Sequence, residues 1–108
     1  MISKLAAFEA VKNSLFAHDV DAQTVRYWLE AGEIILVDVR ETAEYEQEYI
    51  AGSVLCPLSV FDPDLFPKIT DKVVVLHCAI GKRSAAAAKQ LINKGHSKIA
   101  NLQRGIKA

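Results

Sequence analysis

Cysteine is scarce: Cys56 and Cys78 are the only two in 108 residues. Two are too few for a disulfide framework, and the setting of Cys78 points to a reducing compartment, the cytoplasm. Net charge is absent too. The 13 Lys and Arg side chains cancel the 13 Asp and Glu, which removes the electrostatic basis for a nucleic-acid or membrane-surface partner. No apolar run approaches the length of a membrane span, and the N-terminus lacks the uninterrupted apolar core of a secretion signal. With no internal repeat or low-complexity tract, 108 residues make one domain with a real core, not two.

What is present gathers around His77-Cys78-Ala79-Ile80-Gly81-Lys82-Arg83-Ser84. The apolar run Val73-Val74-Val75-Leu76 before it suits a parallel strand covered on both faces. Residues 84–94 after it predict a helix, with Ser84 as N-cap and four alanines in its first turns. A free thiol titrates near about 8.5, but cations and a helix N-terminus bring it to roughly 3.5–7.5. Unpaired amides at the helix start, the helix dipole, Lys82 and Arg83 all favour negative charge in this loop. Gly81 lets successive N–H groups converge on one centre. The plainer alternative is a small buried cysteine beside a solvated Lys-Arg pair. The combination of strand, cysteine, glycine, two cations and helix start within eight residues outweighs it.

Cys-x-x-Gly-x-Arg-Ser after a valine-rich strand resembles the active-site loop of the rhodanese (sulfurtransferase) family. The resemblance implies that Cys78 is the nucleophile and carries a persulfide, that the backbone of Ala79, Ile80, Gly81, Lys82, Arg83 and Ser84 lines the cradle, and that Lys82 and Arg83 bind an anionic donor. The six residues 78–83 match the sulfurtransferase form; the related phosphatase form has one more residue between Cys and Arg. Asp38-Val39-Arg40, followed by Glu44-Tyr45, is similar to a second family pattern early in the domain. Asp38, Arg40 and Glu44 are expected to support the loop from behind, with Arg40 and Glu44 pairing. Ile50, Gly52 and Pro57 match a third stretch, from which Tyr49 and Ser53 depart.

In chain order, residues 2–17 predict an amphipathic helix with Leu5, Phe8, Val11, Leu15 and Phe16 on one side. Residues 21–31 predict a second, capped by Asp21, with Trp28 in the core and Gly32 as the stop. Ile34-Ile35-Leu36-Val37 predicts another buried strand. Residues 58–60 predict a short helix, and residues 61–67 a connection anchored by Phe61 and Phe66. Ala88, Leu91 and Ile92 are expected inward on the helix after the loop, Gly95 is expected to close it, and residues 98–102 to form a last parallel strand. Leu102-Gln103-Arg104-Gly105-Ile106 resembles the family's Leu-x-Gly-Gly-Ile segment, with Arg104 in place of the first glycine. The family continues into a further helix, whereas this sequence stops at Ala108: either the domain ends early or the sequence is a fragment of a longer protein, and the N-terminal helix is expected to cover a face left open.

The expected fold is a three-layer α/β domain with a mostly parallel central sheet flanked by helices, over residues 18–108, plus the N-terminal extension over residues 1–17. The expected function is transfer of sulfane sulfur from a small anionic donor such as thiosulfate to a thiol or sulfur-carrier acceptor. No metal, nucleotide or flavin is called for. The alternatives are a non-catalytic sulfur carrier, sensor or interaction module, and a Cys-dependent phosphatase or arsenate reductase. Strand alternation turns His77 away from Cys78, so it is not expected to act as a base. Cys56 is a buried thiol before Pro57 or, alternatively, a resolving thiol for Cys78.

Overall fold

The structure, a computed structural model, describes residues 17–107. The helix expected over residues 2–17, and the covering role expected of it, lie outside the described residues, Ala17 apart. In chain order the elements are β1 (His18–Val20), α1 (Ala22–Glu30), β2 (Ile34–Asp38), α2 (Thr42–Gln47), β3 (Val54–Leu55), β4 (Val73–His77), α3 (Lys82–Asn93) and β5 (Ile99–Leu102). Single 3-10 turns occupy Leu58–Val60 and Gly105–Lys107.

The two apolar runs make the centre of the sheet. β2 and β4 pair in parallel from Ile34 opposite Val73 to Asp38 opposite His77. All five strands are parallel, in the order β1-β5-β4-β2-β3. Alternate side chains leave opposite faces of a strand, so each run feeds both layers. Ile34, Leu36, Val73 and Val75 pack with Val25 and Trp28 of α1. Val37, Val74, Leu76 and Ile99 pack on the other face with Ala87, Ala88 and Leu91 of α3. This is the α/β architecture expected, with helices on both sides of a parallel sheet.

Local signals hold at both ends of α1 and at the end of α3. The Asp21 carboxylate accepts the Thr24 amide at 2.8 Å, and Gly32 follows the last turn of α1 with a φ of +74°. At the end of α3 the Gly95 amide donates to Ile92 O and the His96 amide to Leu91 O, both at 3.0 Å, which closes the helix around a left-handed glycine. Phe61 and Phe66 meet with ring centroids 5.9 Å apart and pack against the α3-side core.

Three expectations change. α3 starts at Lys82, so Ser84 lies inside its first turn and Gly81, at φ +97°, takes the N-cap position. The last strand starts at Ile99; Lys98 sits just before it with φ +60°. β1 and α2 are elements for which the sequence carried no periodic signal. α2 is stapled by a capping box: the Glu44 carboxylate accepts the Glu41 amide at 3.0 Å.

Candidate active site

β4 delivers Cys78 to the carboxyl end of the sheet, where open parallel sheets place their ligands. The first turn of α3 has no side-chain cap. Its free amides turn instead to the cysteine: Sγ accepts from Gly81 N at 3.1 Å and Ser84 N at 3.4 Å, and the Ser84 hydroxyl lies 3.3 Å away, within reach to donate to a thiolate. This explains the earlier helix start. The sulfur occupies the acceptor position that a capping serine was expected to fill, and Ser84 becomes one of its donors.

Burial of Cys78 alone would push its thiol up. The Ser84 hydroxyl and the amides of Ser84, Gly81 and Ile80 outweigh it, and the thiol is held below its ordinary value. Among the described residues, Cys56 has no such donors. Burial raises its thiol, and both cysteines are free.

The loop is wedged from the far side by the turn after β5. Ile106 N donates to Cys78 O at 2.9 Å. A Cβ on Gly105 would lie 2.3 Å from Cys78 O and 2.6 Å from Ala79 C, so only glycine fits. Arg104, beside it, has a φ of +64°, a left-handed conformation that glycine adopts without strain.

Of the expected cradle residues, Gly81 and Ser84 are buried, Ala79 and Arg83 are half-buried, and Ile80 and Lys82 are exposed. The supporting set is wired differently from expectation. Arg40 does not pair with the Glu44 carboxylate. Its guanidinium grips Asp38 through Nε and Nη2, at 3.1 and 2.8 Å, and caps Glu48 O at 2.8 Å. Asp38 and Arg40 are both buried, which explains the preference: a buried carboxylate demands the nearest cation. Glu44 is thereby left for Arg83, with two 2.8 Å bonds across 39 residues of sequence. The hydrogen bonds from Arg83 and the Glu41 amide hold the Glu44 carboxyl at about 2.

His77 is fully buried, with Nε2 3.6 Å from Asp38 Oδ2 and neither ring nitrogen hydrogen-bonded. Burial pushes its pKa down despite Asp38. One residue that sequence reasoning missed completes the site. Asn101 of β5 reaches Ser84 Oγ through Oδ1, and its Nδ2 donates to Asp19 Oδ1 at 3.0 Å and Gly81 O at 3.3 Å. The available signal was a lone amide in the otherwise apolar stretch Ile99-Ala100-Asn101-Leu102.

No helix among the described residues is long and apolar enough to cross a membrane. The MoeZ protein of Mycobacterium tuberculosis, whose name is probable adenylyltransferase/sulfurtransferase, is 33% identical over 94% of this chain and 26% of its own length. A sulfurtransferase of Allochromatium vinosum is 28% identical over 82% of this chain and 84% of that protein. The chain spans about half the length, or less, of several curated relatives that it matches. Among solved structures, a human single-domain sulfurtransferase superposes with a TM-score of 0.72 at 26% identity, over 84% of this chain and 93% of that one. A family model described as the rhodanese-like domain matches residues 21–108, covering the whole sheet beyond β1 and the entire cysteine loop. By that match and by its fold, the chain belongs to the rhodanese-like domain family.

Proposed function

We propose that the chain is a sulfurtransferase that carries sulfane sulfur as a persulfide on Cys78. The observation that carries this is the convergence of the Gly81 and Ser84 amides and the Ser84 hydroxyl on Sγ, beside a six-residue loop that ends at Arg83. The Cys78 thiolate attacks the outer sulfur of a donor such as thiosulfate. A sulfur–sulfur bond forms at Sγ as the donor's own breaks, and sulfite leaves with the bonding pair. An acceptor thiolate, a sulfur carrier or cyanide then attacks the outer sulfur of the persulfide, and Cys78 departs as thiolate. Neither half needs an outside oxidant.

Gly81, Ser84 and the neighbouring amides stabilise the charge that returns to the cysteine. Lys82 is exposed at the rim and is assigned to the donor anion. Arg83 shares that task, but its charge is already offset by Glu44, so anion binding there is a contest between a carboxylate and the donor. Cys78 is fully buried, so a donor reaches its sulfur only when the atoms that cover it move aside. Both thiols stay reduced in the cytoplasm, where we place the protein.

The test is thiosulfate:cyanide sulfurtransferase activity on purified protein, with Cys78→Ser in parallel and intact mass on both. Catalytic thiocyanate formation by the parent alone, with one added sulfur on its mass, is the expected result. A stable added sulfur without turnover would make the chain a carrier or sensor instead. Hydrolysis of an aryl phosphate with no sulfur uptake would overturn the assignment.

A further inference from the structure

The Ser84 hydroxyl has one proton and three acceptors around it: Cys78 Sγ at 3.3 Å, Gly81 O at 3.3 Å and Asn101 Oδ1. Which of them receives it depends on the Asn101 amide, and the surroundings settle that orientation. The two groups facing Nδ2, Asp19 Oδ1 and Gly81 O, are both acceptors, so the nitrogen must lie on their side. The oxygen then faces Ser84 and can only accept. With its proton on Asn101, Ser84 presents a lone pair to the sulfur.

That arrangement suits an uncharged Sγ. A protonated thiol donates to the lone pair; the inner sulfur of a persulfide has no proton to give, but it carries no charge that calls for the Ser84 proton, because the charge resides on the outer sulfur. It does not suit a thiolate, which needs the proton that Asn101 holds. We propose that Asn101 is a positioning residue acting through Ser84: it takes the Ser84 proton while Sγ is neutral and yields it when Sγ is charged. Asn101 therefore works against the thiolate and in favour of the loaded enzyme. The effect on loading rests on the persulfide function proposed above; the effect on thiol ionisation does not.

Removal of the amide leaves little else unpaired. Gly81 O also accepts the Ala85 amide at 3.1 Å, and Asp19 is exposed to water. The charged and titratable groups around the sulfur are Lys82 and Arg83 on α3, Glu44 of α2 on Arg83, and His77 with Asp38 and Arg40 on the β4–β2 side. Asp19 on β1 and Arg104 beside Gly81 complete the set among the described residues. None of these is altered in a variant at position 101.

The experiment is a pH titration of ultraviolet thiolate absorbance in a Cys56→Ser background, for the parent, Asn101→Leu, Asn101→Ala, Ser84→Ala and the Asn101→Leu/Ser84→Ala pair. Without Asn101 the Ser84 proton is free for the sulfur, and the thiol pKa falls by roughly half to one unit, since a bond to a charged acceptor replaces one to a neutral acceptor. Ser84→Ala alone raises it, and Asn101→Leu adds nothing in that background. An unchanged or raised pKa in both Asn101 variants overturns the proposal, and so does an equal fall with Ser84 removed. If neither Asn101 variant folds, Asp19→Ala, the surface change that frees the amide, is compared with Asp19→Ala/Ser84→Ala; a smaller fall that needs Ser84 is expected, and no fall, or an equal fall without Ser84 from the lost carboxylate charge alone, overturns the proposal. In the same variants, intact mass at a fixed thiosulfate-to-sulfite ratio is expected to show the persulfide-to-thiolate ratio reduced about three- to tenfold. A parent that titrates as described and never takes up sulfur would leave the proton relay standing and remove the sulfurtransferase function.

Discussion

Replacing Gly105 by alanine tests whether the turn after β5 sets the position of the cysteine loop. The new methyl carbon would meet backbone, not a side chain that can swing away: Cys78 O at 2.3 Å, Ala79 C at 2.6 Å and Ala79 O at 2.7 Å. Carbon needs about 3.5 Å, so the two segments must part by roughly 1 Å. That parting stretches the 2.9 Å bond from Ile106 N to Cys78 O. The φ of +63° adds about 1 kcal/mol for any residue with a Cβ. Overpacking typically adds about 1–3 kcal/mol. A total near about 3 kcal/mol leaves a domain of ordinary stability folded, but lowers its melting temperature by roughly 15 °C. The loop carrying Sγ moves with Cys78, so sulfur transfer is expected to fall at least about tenfold, because small misplacements of reacting groups are costly. Urea unfolding and the thiosulfate:cyanide assay measure the two effects. A stability change under about 1 kcal/mol with parental activity would refute the reasoning, since it would mean the loop and the turn move independently.

The same turn makes the opposite prediction next door. Arg104→Gly relieves a left-handed side-chain residue at φ +64° and is expected to stabilise by about 1 kcal/mol in urea unfolding, less the entropy that glycine adds to the unfolded chain; a loss of stability would count against strain there. Glu44→Gln removes the carboxylate that competes for Arg83, so KM for thiosulfate is expected to fall about two- to fivefold, the modest scale of a half-exposed ion pair, whereas a raised KM would show that Glu44 orients Arg83 for the donor. The Glu44 carboxyl is lowered from 4.5 to about 2, so the stability it contributes is present above about pH 4.5 and lost as pH falls toward 2; Glu44→Gln should flatten the urea midpoint across that window. His77 has the opposite chemistry and the same sign. Its pKa is lowered from 6.5 by burial, so below that pH the unfolded chain binds a proton that the folded one refuses, and stability falls as pH drops. His77→Leu should reduce the slope of the urea midpoint between about pH 7 and 5, and an unchanged slope would place the titration elsewhere.

The parts of the fold visible in the sequence were those with a one-dimensional signature. β2 and β4 show as four-residue apolar runs because both faces are covered, and α1 shows as a capped amphipathic stretch. β1 has no such mark. Only Val20 of its three residues is buried, and it is a strand because β5 offers it an edge. The helix start was misplaced for a chemical reason: a sequence scan for oxygen caps finds Ser84, whereas the acceptor is the Cys78 sulfur. The identity of the loop was legible, its wiring less so. Spacing suggested Arg40 with Glu44, but burial commits Arg40 to Asp38, and the pair Glu44–Arg83 joins residues with no sequence proximity. Asn101 was hidden for the same reason, because its partners lie on α3, the loop and β1.

A sulfur that caps a helix ties covalent state to secondary structure. Alkylation, oxidation or persulfidation at Cys78 each change the acceptor on which the Gly81 and Ser84 amides rest, so the first turn of α3 registers what is bound to the cysteine. Those two amide protons are therefore natural reporters. Their chemical shifts and solvent-exchange rates read the chemical form of the sulfur directly, with no dye, substrate or label attached to it.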